Sequence, residues 1–230
     1  MKKLFLLSLV MLFLVGCAGK PQPPIHIDQS YWEGQERTVG IVMTDLPETD
    51  VHIYGAGCLL CLLVAEAANS NLSTHTETLS DENLTELKGK IAKDLEEGGI
   101  KTSIINEAIT LKSLPKNKSS IENASKFDFS SYKNTHNISH LLVIEINQLG
   151  MTRGYSSYVP ITDPRAIFKA KSYLVDLETN IYDSYYSIDI EQNAHENWDE
   201  SPTFPALTNA YYQALAKGKD SIIDSVPVPN

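Results

Sequence analysis

The chain is poor in cysteine, in positive charge, in long apolar runs and in catalytic motifs, and each shortage narrows what it does. Three cysteines, at positions 17, 58 and 61 of 230 residues, are too few for a disulfide-stapled miniature fold or a four-cysteine zinc module. Nineteen basic residues against 29 acidic ones leave a formal charge of −10. That balance argues against nucleic acid, which needs a basic footprint, and against adhesion to anionic lipid headgroups. Leu4 to Val15 is apolar almost throughout but too short to cross a bilayer as a helix. There is no P-loop, no G-x-S-x-G and no G-x-G-x-x-G; Gly55-Ala56-Gly57 lacks the third glycine, so no nucleotide site is expected. The six histidines are scattered, and His136 and His140, spaced i, i+4, straddle an expected loop-to-strand junction with no third ligand in view. No metal and no other cofactor is therefore expected. Asp45, Glu48 and Asp50, and the group Glu191, His195 and Glu196, read as solvated turn residues. The composition points away from an enzyme.

The first feature present rather than absent is the amino-terminal stretch. Lys2 and Lys3 precede the Leu4–Val15 run, which is the layout of a secretory signal peptide. The run ends in Leu14-Val15-Gly16-Cys17, which resembles the bacterial lipoprotein box. The resemblance implies a signal peptide over residues 1–16, cleavage before Cys17, and fatty acylation of that cysteine. Two or three acyl chains hold a soluble domain on a membrane where one does so only marginally. Ala18 and Gly19 follow the cysteine, and absence of Asp there implies outer-membrane anchoring, facing the periplasm, in a Gram-negative cell. Residues 17–36 carry three prolines and little periodicity, and read as the acylated terminus and a flexible tether, the alternative being a strand edge that starts at Ile25-His26-Ile27.

Residues 37–225 read as one α/β domain. Thr38–Met43 is β-branched and apolar, a buried strand; Leu84, Leu87, Ile91 and Leu95 recur at helical spacing behind Ser80 and Asp81 and stop at Gly98-Gly99. Ile100–Thr110 reads as a second strand and polar Lys112–Asn137 as a surface loop with a short helix near Ser119–Ser125. His140–Leu149 is the most apolar, central strand, and Gly150–Pro164 a loop or strand excursion. Ala166–Asp176 and Ile181–Ile190 form a hairpin around Leu177–Asn180, and Ala206–Ile223 closes the chain as an amphipathic helix with a weak point at Gly218. The order predicts a mixed sheet of about four to six strands with helices on at least one face. With the TVGIVM strand, the helix ending in Gly-Gly and the YLVDLETNIYDSY hairpin, the chain is similar to the periplasmic α/β domain of TolB N-terminal domains and curli-secretion lipoproteins.

The segment Tyr54–Ala65 (YGAGCLLCLLVA) departs from an ordinary domain. As a helix it places Cys58 and Cys61 on one face, with Cα atoms about 5 Å apart, close enough for a disulfide. Three readings stay open. The segment is a core helix with buried or bridged cysteines; or Leu59, Leu60, Leu62, Leu63 and Val64 form a surface that meets the acyl layer or a partner; or Cys58 and Cys61 are a redox C-x-x-C, against which stand the intervening leucines and Gly57 before the first cysteine. The expectation for the whole is a lipid-anchored periplasmic binding or scaffold protein serving an envelope assembly, joined to the membrane through its lipid and to a protein partner or to itself. The alternatives are a thiol–disulfide protein using Cys58 and Cys61, and an oligomeric pore- or ring-forming secretion lipoprotein.

Overall fold

The structure is a computed structural model and describes residues 21–34, 36–195 and 197–229. The expected signal peptide 1–16 and Cys17 lie outside the described residues.

Seven strands form one mixed sheet: β1 (Thr38–Met43), β2 (Thr49–Tyr54), β3 (Lys101–Ile104), β4 (His140–Ser156), β5 (Val159–Pro160), β6 (Arg165–Asp176) and β7 (Ile181–Asn193). The spatial order is β3-β1-β4-β6-β7. β1 pairs parallel with the first part of β4 (Val39 with His140, Met43 with Ile144), and β2 pairs parallel with its second part (Thr49 with Leu149, Tyr54 with Gly154). β1 and β2 thus lie end to end along one edge of β4. Along the other edge β6 runs antiparallel, then β7 beyond it. Among the described residues there are five α-helices: α1 (Leu59–Ala68), α2 (Ser70–Thr76), α3 (Leu87–Glu97), α4 (Ser131–His136) and α5 (Pro205–Asp224).

The two strands beyond the expected five are β2 and β5. Both pair with β4, which continues for seven residues past Leu149. The second strand of the strand–helix–strand unit is shorter than the Ile100–Thr110 run, because only Lys101–Ile104 lies in register with β1. The short helix of the long loop sits at Ser131–His136 and not near Ser119–Ser125.

Both faces of the sheet are buried. Leu142, Ile144, Leu149, Met151 and Phe168 pack under α3 (Leu87, Ile91, Leu95) and α5 (Leu207, Tyr211, Leu215). Leu141, Val143, Tyr173 and Tyr182 pack under the 105–138 segment through Ile105, Ile109, Phe129 and Ile138. The polar loop is therefore a lid. Asn180, at the tip of the β6–β7 turn with φ of 57°, fastens it: its Oδ1 accepts from the Phe129 amide at 3.0 Å, its Nδ2 donates to Phe127 O at 3.1 Å, and its carbonyl accepts from Ser125 N at 3.0 Å.

The segment expected as a flexible tether is held from its first described residues. Gln22 Nε2 donates to Asn123 Oδ1 at 3.1 Å, Ile25 exchanges both backbone hydrogen bonds with Tyr185 at 2.9 and 3.0 Å, and buried Trp32 donates its Nε1–H to Pro227 O at 2.6 Å. Tyr185 stands opposite Tyr173 and so level with Val143 on β4. The far end of β4 is about 40 Å away from that level, counted at one strand residue per 3.3 Å.

Gly218 is not a weak point. α5 runs through it, and a Cβ placed there would lie 2.4 Å from the Phe168 ring. Gly218→Ala is expected to cost about 1–3 kcal/mol by overpacking, against the roughly 1 kcal/mol that helix propensity alone returns. A urea midpoint above the wild-type value would show that the close packing is absent.

Candidate functional site

α1 leaves β2 through a tight passage. Gly55 has φ of +79°, and a Cβ there would lie 2.1 Å from the Tyr155 carbonyl oxygen, so neither the angle nor the space admits a side chain. Cys58 caps the helix, its Sγ accepting from the Cys61 amide at 3.0 Å, and the two cysteines form a disulfide with Cα atoms 5.0 Å apart. At the other end Asn69 is buried. Its Nδ2 donates to Ala65 O at 2.6 Å and to the Tyr155 hydroxyl at 2.7 Å, while its Oδ1 accepts from Arg153 at 2.9 Å. The last turn of α1 is therefore fixed to the last residues of β4, while the disulfide closes the first turn on itself.

Between these clamps the helix is inside out. Its buried residues are two small ones, Cys61 and Ala65. Its large ones face water: Leu59 is 75%, Leu60 70%, Leu63 52% and Val64 46% exposed, with Leu62 half-buried. An ordinary surface helix does the reverse. Of the core-helix reading, the bridged cysteines and the buried Cys61 are found, but the leucines are not core: Cys61 and Ala65 are the buried residues of the helix. Leaving such side chains in water forgoes about 1.5–3 kcal/mol each.

The exposure is concentrated at one end of the sheet. Among the described residues, ten large apolar side chains are exposed, and eight of them are the four on α1 together with Tyr54, Tyr158, Val159 and Ile161. The last four flank the end of β4: Tyr54 pairs with Gly154 and lays its ring where a Gly154 side chain would stand, Val159 pairs with Ser156, and Ile161 N donates to Gly154 O at 2.9 Å. Charged pairs border this end. Arg165 bonds Glu191 at 2.7 Å and the Tyr54 hydroxyl at 3.1 Å, and Arg153 stacks on Trp198 at 4.6 Å. An apolar centre with a polar rim is the anatomy of an interaction surface. The sequence singled out the α1 residues but not Tyr158, Val159 and Ile161, whose loop carries no periodic signal.

At the opposite end of β4, His140, Asp176 and Asp183 each bring one ligand-type atom within 4.8 Å of the others. The sequence missed this grouping, since the strand register alone gathers it; His136 instead stacks on Tyr132. Each of the three residues has a partner in the fold. Asp183 accepts the Tyr31 hydroxyl proton at 2.8 Å, Asp176 Oδ1 accepts the Glu178 and Thr179 amides at 2.7 and 3.0 Å, and His140 Nδ1 meets Ser139 Oγ at 2.8 Å. The cluster joins the amino-terminal segment to the hairpin, which is a structural task. Elsewhere, Asp50 bonds the amide of its neighbour Val51, Glu191 belongs to Arg165, and Glu196 lies outside the described residues.

No protein-family model and no curated protein matches the chain. Solved structures do. Protein XCC0632 from Xanthomonas campestris is 10% identical, the match covering 87% of this chain and 90% of that one at a TM-score of 0.36. Lipoprotein GNA1162 from Neisseria meningitidis is 12% identical over 78% of this chain and 96% of that one, TM-score 0.30. The PelC dodecamer from Paraburkholderia phytofirmans is 9% identical over 84% and 92%, TM-score 0.30. Identities and TM-scores this low transfer neither activity nor assembly state. The likeness to TolB and curli-secretion domains gains no support from these neighbours.

Burial depresses the His140 pKa to about 4, outweighing the Asp176 carboxylate that pulls it up, so the ring is neutral at neutral pH. The unfolded chain binds that proton near its ordinary value of 6.5. Stability is therefore present above that value and falls as pH drops toward 4, by about 2 kcal/mol between pH 7 and pH 5. Asp183, raised by burial, acts in the opposite sense at lower pH. Urea unfolding of His140→Gln across this range is expected to be flatter than wild type; parallel curves would refute the assignment.

Proposed function

We propose that the protein is a lipid-anchored periplasmic lipoprotein of the outer membrane that works by binding and not by catalysis. α1 is its docking face for a protein partner, as an accessory or scaffold in an envelope assembly. The observation that carries this reading is the inverted helix, four large apolar side chains held outward on a segment clamped at both ends. Such a surface contributes little to the isolated fold and gains what it lacks when covered. Its position supports a partner in the periplasmic space: it sits at the end of β4 remote from the level at which Ile25 joins β7. Among the described residues no helix is long and apolar enough to cross a membrane, which accords with attachment through the lipid on Cys17.

A photoreactive residue at Leu60 or Leu63 in intact cells is expected to yield a defined protein adduct, identified by mass spectrometry. An adduct to the protein itself would make the partner a second copy. Lipid adducts alone, or none, would remove the basis for the reading. Leu60→Asp with Leu63→Asp is expected to abolish the adduct from a probe at Leu59 while shifting stability by no more than about 0.5 kcal/mol, as exposed positions do.

One observation favours a second reading, thiol–disulfide exchange: Cys58 is exposed at the helix amino terminus while its partner Cys61 is buried, which makes Cys58 the accessible sulfur for attack. Equilibration with glutathione separates the two. A potential below about −300 mV marks a structural bridge, the expected result, whereas one near −200 mV would support exchange.

A further inference from the structure

We infer that the tip of the Lys112–Lys126 loop is a second membrane contact, docking on anionic phospholipid headgroups beside the acylated Cys17. The inference rests on the lipid anchor proposed above and adds to it the face with which the domain meets the bilayer.

The chain itself fixes the location. Gln22 is bonded to Asn123, and Ile25 is paired with Tyr185. From Cys17 to Gln22 the backbone reaches at most about 17 Å. A lipid on Cys17 therefore keeps the bilayer surface within about 17 Å of the Gln22 backbone, whose side chain is bonded to Asn123, whatever path the intervening residues take. Asn123 lies in the turn closed by Ala124 N donating to Ile121 O at 3.1 Å, which presents Ile121 to solvent at 62% exposure. Asn117, on the other limb, turns inward, its Nδ2 donating to Asn180 O and its amide to Lys126 O. Its neighbours Lys116 and Lys118 are consequently exposed, and among the described residues neither forms an ion pair.

The charge of this tip is opposite to that of the chain. Between Lys112 and Lys126 stand four lysines and one acid, Glu122, in a protein of net charge −10. Lys112 and Lys126 share a cleft with Asp45 and Glu145, so Lys116 and Lys118 are the pair left to an external anion. Near an anionic bilayer each lysine raises partitioning by about fivefold. Screening confines this attraction to roughly 10 Å, so only a surface that the anchor keeps close benefits. Apolar Ile121, exposed on the same loop tip, suits the boundary between headgroups and acyl chains, with the lysine ammonium groups reaching to phosphate.

The test uses the full acylated protein reconstituted in vesicles of phosphatidylethanolamine with one-quarter phosphatidylglycerol, or of phosphatidylcholine alone. A bimane probe on Ile121→Cys reports shielding from iodide, and mass spectrometry of the amino-terminal peptide reports the lipid on Cys17. The expected result is shielding about threefold greater in the anionic vesicles, lost in Lys116→Glu with Lys118→Glu and lost at about 0.5 M salt. Equal quenching in both lipids, or shielding unchanged by the double substitution, on an acylated protein would overturn this proposal and leave the anchor standing. An unmodified Cys17 would overturn both.

Discussion

The fold depends on one constraint, that β4 keep hydrogen-bond partners on both edges along nearly its whole length. β1 and then β2 occupy one edge, β6 and β5 the other. A strand this long twists and drifts out of register with its neighbours, and two local devices correct it. The register shifts between Ile146 and Gln148, so that Leu149 and Met151 fall on the helix-covered face with Leu142 and Ile144. Without that extra residue, Gln148 and Gly150 would stand in their place. Gly150 then carries the chain past Asp50 at φ of +118°, where a Cβ would lie 2.1 Å from the Asp50 carbonyl.

A long central strand gives the domain two distant ends with opposite chemistry. At the start of β4 lie the polar contacts that hold the amino-terminal segment: Tyr31 on Asp183, the Arg37 guanidinium over the Tyr31 ring at 4.2 Å, and Gln22 on Asn123. At its finish lies the apolar helix. Net charge hides this polarity, because the acids are spread over the molecule while four lysines and a single acid stand in the 112–126 stretch. Acidic composition argues against an anionic surface only where the field is averaged; within a Debye length, the local sign decides.

Much of the fold was legible in the sequence. Thr38–Met43 is a strand with those bounds, the Leu84–Leu95 periodicity ends at Gly98-Gly99 as a 3-10 turn and α3, and the hairpin turns at Leu177–Asn180. These segments declare themselves because one face is apolar and the other polar. β2 was missed because TDVHIY offers a single fully buried residue, Val51. The phase of α1 was illegible for a related reason. A helix apolar all round has no amphipathic face to read, so nothing local marks Cys61 and Ala65 as the residues that lie inward. The His140 grouping brings a histidine to two aspartates 36 and 43 positions away through register alone, and no local pattern encodes that. The Lys112–Asn137 loop looked solvated because its inward residues, Ser125 and Phe129 among them, are sparse and held by backbone bonds to Asn180.

The clamps on α1 explain how an inverted helix persists. Ten residues are too few to hold a helix in water by propensity, and most of its apolar area is on the outside, where it contributes nothing to docking the helix on the sheet. Stability must come from the ends. The Cys58–Cys61 bridge fixes the first turn, and Asn69, satisfied by Ala65, Tyr155 and Arg153, fixes the last. A helix held in this way has already lost its backbone freedom before anything covers it. The entropy that a loose apolar segment would forfeit on docking is therefore spared. The same rigidity keeps the leucines from collapsing back onto the domain, so the surface stays open in the isolated chain and complementary to a fixed shape.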